Sequence, residues 1–303
     1  MPRRRKGKKP MKLRRSALYV PASSPRALKK APGLDADCII IDLEDAVADE
    51  EKDTARRRAA EALAEGPWRA EVVIRVNAPG TPAFEADMAM AAASPADAIL
   101  LPKVCGPADV LSAATALPPG KALWAMMETA AAMTRPAEIA ATAARAPLAA
   151  LVMGTNDLML ETGASPASAR FALVPWLMAC LAAARAHGLA ILDGVCNDLS
   201  AGDAFEAECL QGRHMGMDGK TLIHPAQIAA ANRIFAPTAE EIAEAEEIVA
   251  AFARPENAAR GAIRLGGRMV ERLHLRAARR TLEKARAARR REMPPPPSGN
   301  APE

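Results

Sequence analysis

The chain has 303 residues, half of them apolar but only 3% aromatic, and a formal net charge of +4. That length suits one large α/β barrel with a sizeable core, and so few aromatics leave that core to Ala, Leu, Ile, Val and Met, with alanine favouring helices. The charge misleads, because residues 1–15 hold nine Lys or Arg and no acid, leaving 31 basic against 36 acidic residues in a mildly acidic body.

The five cysteines, Cys38, Cys105, Cys180, Cys196 and Cys209, form no C-x-x-C pair. Their odd number argues against a disulfide framework and against a zinc site, and points to the reducing cytoplasm. The basic start leads into only Ala17-Leu18-Tyr19-Val20 before Pro21, too little apolar length for a signal peptide. The longest apolar stretch, residues 171–184, contains Pro175 and is too short to span a bilayer.

Strand-like runs and helical stretches then alternate. Residues 16–20 read as a first strand, closed by Pro21, and Ser23-Ser24-Pro25 opens a short helix to Lys30. Residues 38–43 form a continuous strand running into Glu44-Asp45, followed by a charged, alanine-rich helix over 50–65. The third strand, 72–76, precedes a helix at 84–93, and the fourth, 98–101, leads through Pro102-Lys103 to a helix at 108–116. The fifth, 123–127, ends in Glu128, and the sixth, 148–153, runs into Gly154-Thr155-Asn156-Asp157; helices are expected to begin near both acids and to occupy 136–144 and 171–187. Strands at 190–193 and 220–224 flank a helix at 204–215, and a further helix covers 225–235.

Eight strand-then-helix units with apolar rather than alternating strands indicate a parallel sheet covered on both faces, and eight is the count that closes a (β/α)8 TIM barrel. An open doubly wound sheet is the alternative, but no G-x-G-x-x-G follows any strand. Beyond the barrel, Thr238-x-x-Glu241 is a capping box for a helix to about residue 253, residues 261–268 are loop-like, and residues 269–291 form a basic helical arm. The expected division is a disordered basic tail over 1–15, the barrel over 16–236, a C-terminal helical extension over 237–291 and a disordered, proline-rich tail over 292–303. A helical arm outside a closed barrel needs another surface, and a neighbouring subunit is the candidate.

Ligands of parallel α/β folds bind at the carboxyl ends of the strands, which here would gather Tyr19, Glu44, Asp45, Arg75, Lys103, Glu128, Asp157, Asp193 and His224. Glu128 and Asp157, delivered by consecutive strands, suit a hard divalent cation. The bland reading is a helix N-cap, which suits Asp157 but not Glu128. Arg75, inside an apolar strand, needs a carboxylate, a phosphate or a substrate; the bland reading is an ion pair with Glu44 or Asp45. Lys103 reads equally as a lysine snorkelling past Pro102, and His224 as a satisfied residue at a strand end. Neither H-E-x-x-H nor G-x-S-x-G is present.

Seven stretches in order, Arg15-Ser16-Ala17-Leu18-Tyr19-Val20-Pro21, Ile41-Asp42-Leu43-Glu44-Asp45, Val73-Ile74-Arg75-Val76-Asn77, Leu101-Pro102-Lys103, Met127-Glu128-Thr129, Gly154-Thr155-Asn156-Asp157-Leu158 and Asp218-Gly219-Lys220-Thr221-Leu222-Ile223-His224-Pro225-Ala226-Gln227, resemble the HpcH/HpaI aldolase and citrate lyase β-subunit family, malyl-CoA lyases included. The resemblance runs from about residue 14 to 285. It implies an oligomeric TIM barrel, a homotrimer or hexamer, that binds Mg²⁺, with Mn²⁺ as the alternative ion, through Glu128 and Asp157. It further implies that Arg75 holds the acid end of a CoA thioester, that Glu44 and Asp45 orient metal waters, and that Tyr19 and Arg26 lie by the CoA entry, with Lys30 the weaker candidate for a phosphate. The family's C-terminal arm carries Gly-Lys-Met-Val-Asp-x-Pro, whose Asp serves as acid or base in a neighbour's site. Here the segment is Gly267-Arg268-Met269-Val270-Glu271-Arg272-Leu273, a carboxylate one methylene longer and no proline.

The expected activity is therefore Mg²⁺-dependent cleavage or formation of the C–C bond of a malyl-CoA-type thioester, giving acetyl-CoA or propionyl-CoA and a 2-oxo acid such as glyoxylate. Two alternatives stand beside it: (3S)-malyl-CoA thioesterase activity, and a non-catalytic barrel whose basic tails hold a partner. Nucleic acid is an unfavoured partner, and no membrane contact is expected.

Overall fold

The computed structural model describes residues 11–165 and 170–292. Of the tails expected over 1–15 and 292–303, residues 1–10 and 293–303 lie outside the described residues. Contacts divide the chain into two compact units, Arg14–Phe235 and the segment from Ala236 onward together with residues 11–13.

In the first unit eight parallel strands close a barrel: β1 (Ser16–Pro21), β2 (Cys38–Asp42), β3 (Glu71–Arg75), β4 (Ala98–Leu101), β5 (Ala122–Met127), β6 (Leu148–Met153), β7 (Ala190–Asp193) and β8 (Gly219–Leu222). The seam is β1 against β8, with Ser16 to Leu18 beside Lys220 to Leu222. Strands β4, β5 and β6 are apolar on both faces because each face has a different core to fill, whereas β8 buries Lys220 and Thr221. Ile40, Val73, Leu100, Trp124 and Val152 point into the barrel, while Ile39, Ile41, Ile74, Ile99 and Leu151 pack under the surrounding helices. Trp124 is fully buried inside the barrel, where Ala17, Ala98 and Ala150 belong to the same cluster and leave room for its indole.

Near the amino-terminal ends of the strands, Arg14 forks onto Glu71 at 2.7 and 2.9 Å, and Arg15 onto Asp37 at 2.8 and 3.0 Å. The last two residues of the expected basic tail are thus part of the barrel unit, because two buried carboxylates require them. The eighth strand also ends sooner than expected, at Leu222. Exposed Ile223 and His224 instead donate their N–H groups to Gln227 Oε1 at 3.0 and 3.2 Å, turning the chain into the helix Gln227–Ile234.

In the second unit, the capping box of Thr238 and Glu241 starts the helix Ala239–Ala253. The stretch expected as a loop is a β-hairpin, β9 (Ala262–Leu265) antiparallel to β10 (Arg268–Glu271). Gly266 and Gly267 both adopt positive φ, 53° and 79°, which a tight hairpin turn demands. The final helix begins only at Arg272 and runs to Glu292, with Leu275 and Ala278 buried in one cluster with Ile248, Phe252, Ile263 and Val270. No helix among the described residues is long and apolar enough to cross a membrane.

Candidate active site

Parallel pairing of β2 with β3 puts Asp42 beside Arg75. The guanidinium forks onto the carboxylate, Nε donating to Oδ1 at 2.7 Å and Nη2 to Oδ2 at 2.6 Å. Its remaining nitrogen, Nη1, turns to the acids that follow β2, donating to Asp45 at 3.0 Å and lying 2.9 Å from Glu44 Oε2. The Glu44 contact is an ion pair without an aligned N–H, since Glu44 Oε2 is buried with no hydrogen-bond partner. Burial pushes the Glu44 carboxyl up to about 8, against the opposing pull of Arg75. Tyr19 on β1 lies under the guanidinium, 4.8 Å from ring centroid to Cζ, and burial pushes its phenol above the usual range.

Glu128, next after β5, is fully buried. Its Oε1 accepts the backbone N–H of Lys103 at 2.6 Å, while Oε2 has no hydrogen-bond partner. Burial raises this carboxyl to about 7, with Lys103 opposing. Asp157 lies in the first turn of the helix Thr155–Thr162 and pairs with the Lys103 ammonium, which is also 3.7 Å from Glu128 Oε1. The backbone passes close to Glu128 at Gly154, where a Cβ would lie 2.4 Å from Glu128 Cβ and 2.5 Å from Oε2. Neither acid is a helix cap: Thr129 caps Ala130–Met133 by accepting the Ala132 N–H, and the helix of Asp157 has no side-chain cap.

Among the described residues no three His, Cys, Asp or Glu side chains cluster as a complete ligand set. The unpartnered Glu128 oxygen and the partly exposed Asp157 carboxylate fit an ion such as Mg²⁺, which takes one or two carboxylates and fills its other positions with water and substrate oxygen. A cleft of about 340 Å³ opens here, lined by Tyr19, Asp45, Arg75, Met126, Gly154 and Asp157 among others.

The mouth thus collects Tyr19, Glu44, Asp45, Arg75, Glu128 and Asp157. Arg26 and Lys30 stay outside, exposed on the helix Pro25–Lys30 and absent from the cleft lining. Asp193 does not face the mouth; it is fully buried, accepting Arg170 Nη1 at 2.8 and 3.0 Å and Lys220 at 3.3 Å. Burial alone would raise its carboxyl, but Lys220 and Arg170 outweigh burial and hold it below its ordinary value. His224 is exposed, its Nδ1 accepting the Ala226 N–H at 3.2 Å. Glu271 belongs to the C-terminal unit, where its N–H donates to His274 Nδ1 at 2.9 Å. Two residues carry more than their sequence reading: Asp42, not Glu44 or Asp45, is the principal partner of Arg75, and Lys103 joins both acids.

Several known proteins share this frame. The profile of the HpcH/HpaI aldolase/citrate lyase family matches residues 15–225. The chain is 49% identical over 274 residues to a (3S)-malyl-CoA thioesterase of Cereibacter sphaeroides, covering 90% of this chain and 95% of that protein. It is 32% identical over 310 residues to an L-malyl-CoA/β-methylmalyl-CoA lyase of Rhodobacter capsulatus, covering 92% and 97%. Among solved structures, CitE from Mycobacterium tuberculosis in complex with magnesium, acetoacetate and coenzyme A superimposes with a TM-score of 0.74 at 29% identity, over 89% of this chain and 97% of that one. The order of motifs, the closed barrel and these matches agree, and the chain belongs to the HpcH/HpaI aldolase/citrate lyase family.

Proposed function

We propose that this protein hydrolyses a malyl-CoA-type thioester with the help of Mg²⁺ held by Glu128 and Asp157. The observation that carries the reading is that Lys103 joins buried Glu128 to Asp157 at the carboxyl-terminal mouth of the barrel, beside the cleft that Asp157 and Arg75 line. The 49% identity to a named thioesterase, against 32% to a named lyase, favours hydrolysis over C–C cleavage. Mn²⁺ is the substitute ion of the same chemistry.

Bound by the two acids, the ion supplies Lewis-acid polarisation of a substrate oxygen. Asp42 consumes Nε and Nη2 of Arg75, so the guanidinium is fixed in plane with Nη1 left to share with the acid end of the substrate. Tyr19 closes one side of that guanidinium against water. A water adds to the thioester carbonyl carbon, and Asp45, the exposed acid beside Arg75 in the cleft lining, takes its proton, while Glu44, raised by burial to about 8, stays protonated next to it at neutral pH. The C–S bond breaks, the CoA thiolate takes up a proton, and malate and CoA leave. Arg26 and Lys30, exposed on the first helix outside the cleft, serve as partners for CoA phosphates. Glu271 of a neighbouring copy, in a homotrimer or hexamer, serves as a further acid or base.

Incubation with (S)-malyl-CoA and Mg²⁺, with an EDTA control, tests the proposal. Malate and free CoA formed only with metal support it. Glyoxylate with acetyl-CoA would establish the lyase reading that the 32% relatives favour, in which the hydroxyl proton leaves, the C–C bond breaks and the acetyl-CoA enolate is protonated. No metal-dependent product overturns both.

A further inference from the structure

Lys103 stands at an unusual place. It follows Pro102 just beyond β4, and with φ of 51° it is a non-glycine residue in the left-handed region, where its Cβ crowds the following carbonyl oxygen. Two contacts use that geometry. Its N–H reaches Glu128 Oε1 at 2.6 Å, and its side chain turns so that the ammonium pairs with Asp157 and lies 3.7 Å from Glu128 Oε1. Among the described residues, both ion pairs of the ammonium are to these two acids. The side chain is 31% exposed, so the four-carbon stem has solvent into which it can swing.

We propose that Lys103 is a built-in counter-cation of the Glu128–Asp157 pair, and that a divalent ion binds by exchange with its ammonium. The inference rests on the metal reading given above. Fully buried Glu128 beside Asp157 is a costly pair of like charges unless a cation lies between them. An ammonium on a flexible stem satisfies that need while remaining displaceable, whereas the backbone N–H of the same residue keeps Glu128 oriented whether or not the ammonium is present. The exchange lowers metal affinity, because the ion must displace a positive charge already in contact with its ligands. The lysine thereby sets how much free Mg²⁺ the protein needs.

The test is direct binding of Mn²⁺, followed by the loss of its free-ion electron paramagnetic resonance signal, for the full-length protein, Lys103→Met, Lys103→Arg and Glu128→Gln. Lys103→Met is expected to bind Mn²⁺ at least about tenfold more tightly than the parent, and to melt at lower temperature in EDTA, with the loss recovered by Mn²⁺. Lys103→Arg, which keeps the charge, is expected to stay within a few-fold of the parent, and Glu128→Gln to lose binding. A merely structural lysine would give weaker binding on removal, so unchanged or weaker binding by Lys103→Met overturns the exchange. If the parent and Lys103→Met both leave the Mn²⁺ signal intact at millimolar ion, the metal reading itself fails, and the inference with it.

Discussion

Asp42 and Arg75 sit opposite one another in the register of two neighbouring strands and are joined by two parallel hydrogen bonds of 2.6 and 2.7 Å. An amide in place of the carboxylate offers one acceptor for two donors and no charge. Asp42→Asn is therefore expected to lower kcat/KM about 100-fold by letting the guanidinium rotate. Steady-state kinetics on the thioester decides it, and a wild-type value would detach Asp42 from the reaction.

Gly154 is the one residue type that fits against the Glu128 carboxylate, since a methyl group there would lie only 2.4 Å from Glu128 Cβ. Gly154→Ala should push that carboxylate aside and reduce metal-dependent turnover about 100-fold or more. Its circular dichroism spectrum should remain that of the parent. Activity near the parental level would show that the strand end yields instead.

The buried cluster of Asp193, Lys220 and Arg170 makes a stability prediction with a definite sign. Asp193 is held below its ordinary value, so its contribution is present above the unfolded carboxyl value of about 3.9 and is lost as pH falls through the folded one. Asp193→Asn, which leaves the fully buried Lys220 ammonium with Glu208, at 3.3 Å, as its charged partner, should cost about 3 kcal/mol at pH 7. In urea titrations the gap between the two proteins should narrow below about pH 4, and a gap that is constant with pH would contradict the assignment.

The thiols are expected to separate by environment. Cys105 is exposed, whereas Cys180 and Cys209 are buried and pushed up to about 12 by burial. A disulfide reagent at pH 7.5 should modify Cys105 first, and Cys180 and Cys209 only after denaturation. Peptide mapping of the labelled protein would reveal a different order.

Glu271 acting between copies has a distinctive signature. Arg75→Ala and Glu271→Gln should each be about 100-fold or more down in turnover, yet mixing the two, dissociated and reassembled, should restore activity. A mixed site would then combine Arg75 of one copy with Glu271 of another. Two inactive proteins that stay inactive together, in an assembly shown by sedimentation to contain both, would remove Glu271 from the shared site.

The barrel was legible because its signal is repeated: eight strand-like runs, most of them apolar, separated by helical stretches leave few arrangements open. Glu128, Asp157 and Arg75 stood out because each is a charge on or just beyond a run of aliphatic residues. The partner of Arg75 was harder to choose, since Asp42, Glu44 and Asp45 lie within four positions and only the register of β2 on β3 separates them. Lys103 depends on a backbone angle that no local pattern announces. The hairpin of β9 and β10 did have a signal, Ile263 and Leu265 on either side of Arg264 before Gly266-Gly267, but two short strands read as loop until Ile263 and Val270 are seen in one buried cluster.

The seam of the barrel joins the first strand of the chain to the last of the eight. During synthesis β1 therefore emerges about 200 residues ahead of β8, and at about 5–20 residues per second it waits roughly 10–40 s with one edge unpaired. An apolar strand edge left open for that long invites pairing with another nascent chain. Arg14 and Arg15 stand directly before it, and their partners Glu71 and Asp37, 57 and 22 residues further along, emerge well before β8 does. The ion pairs at the base of the barrel are thus available on the ribosome before its seam can close.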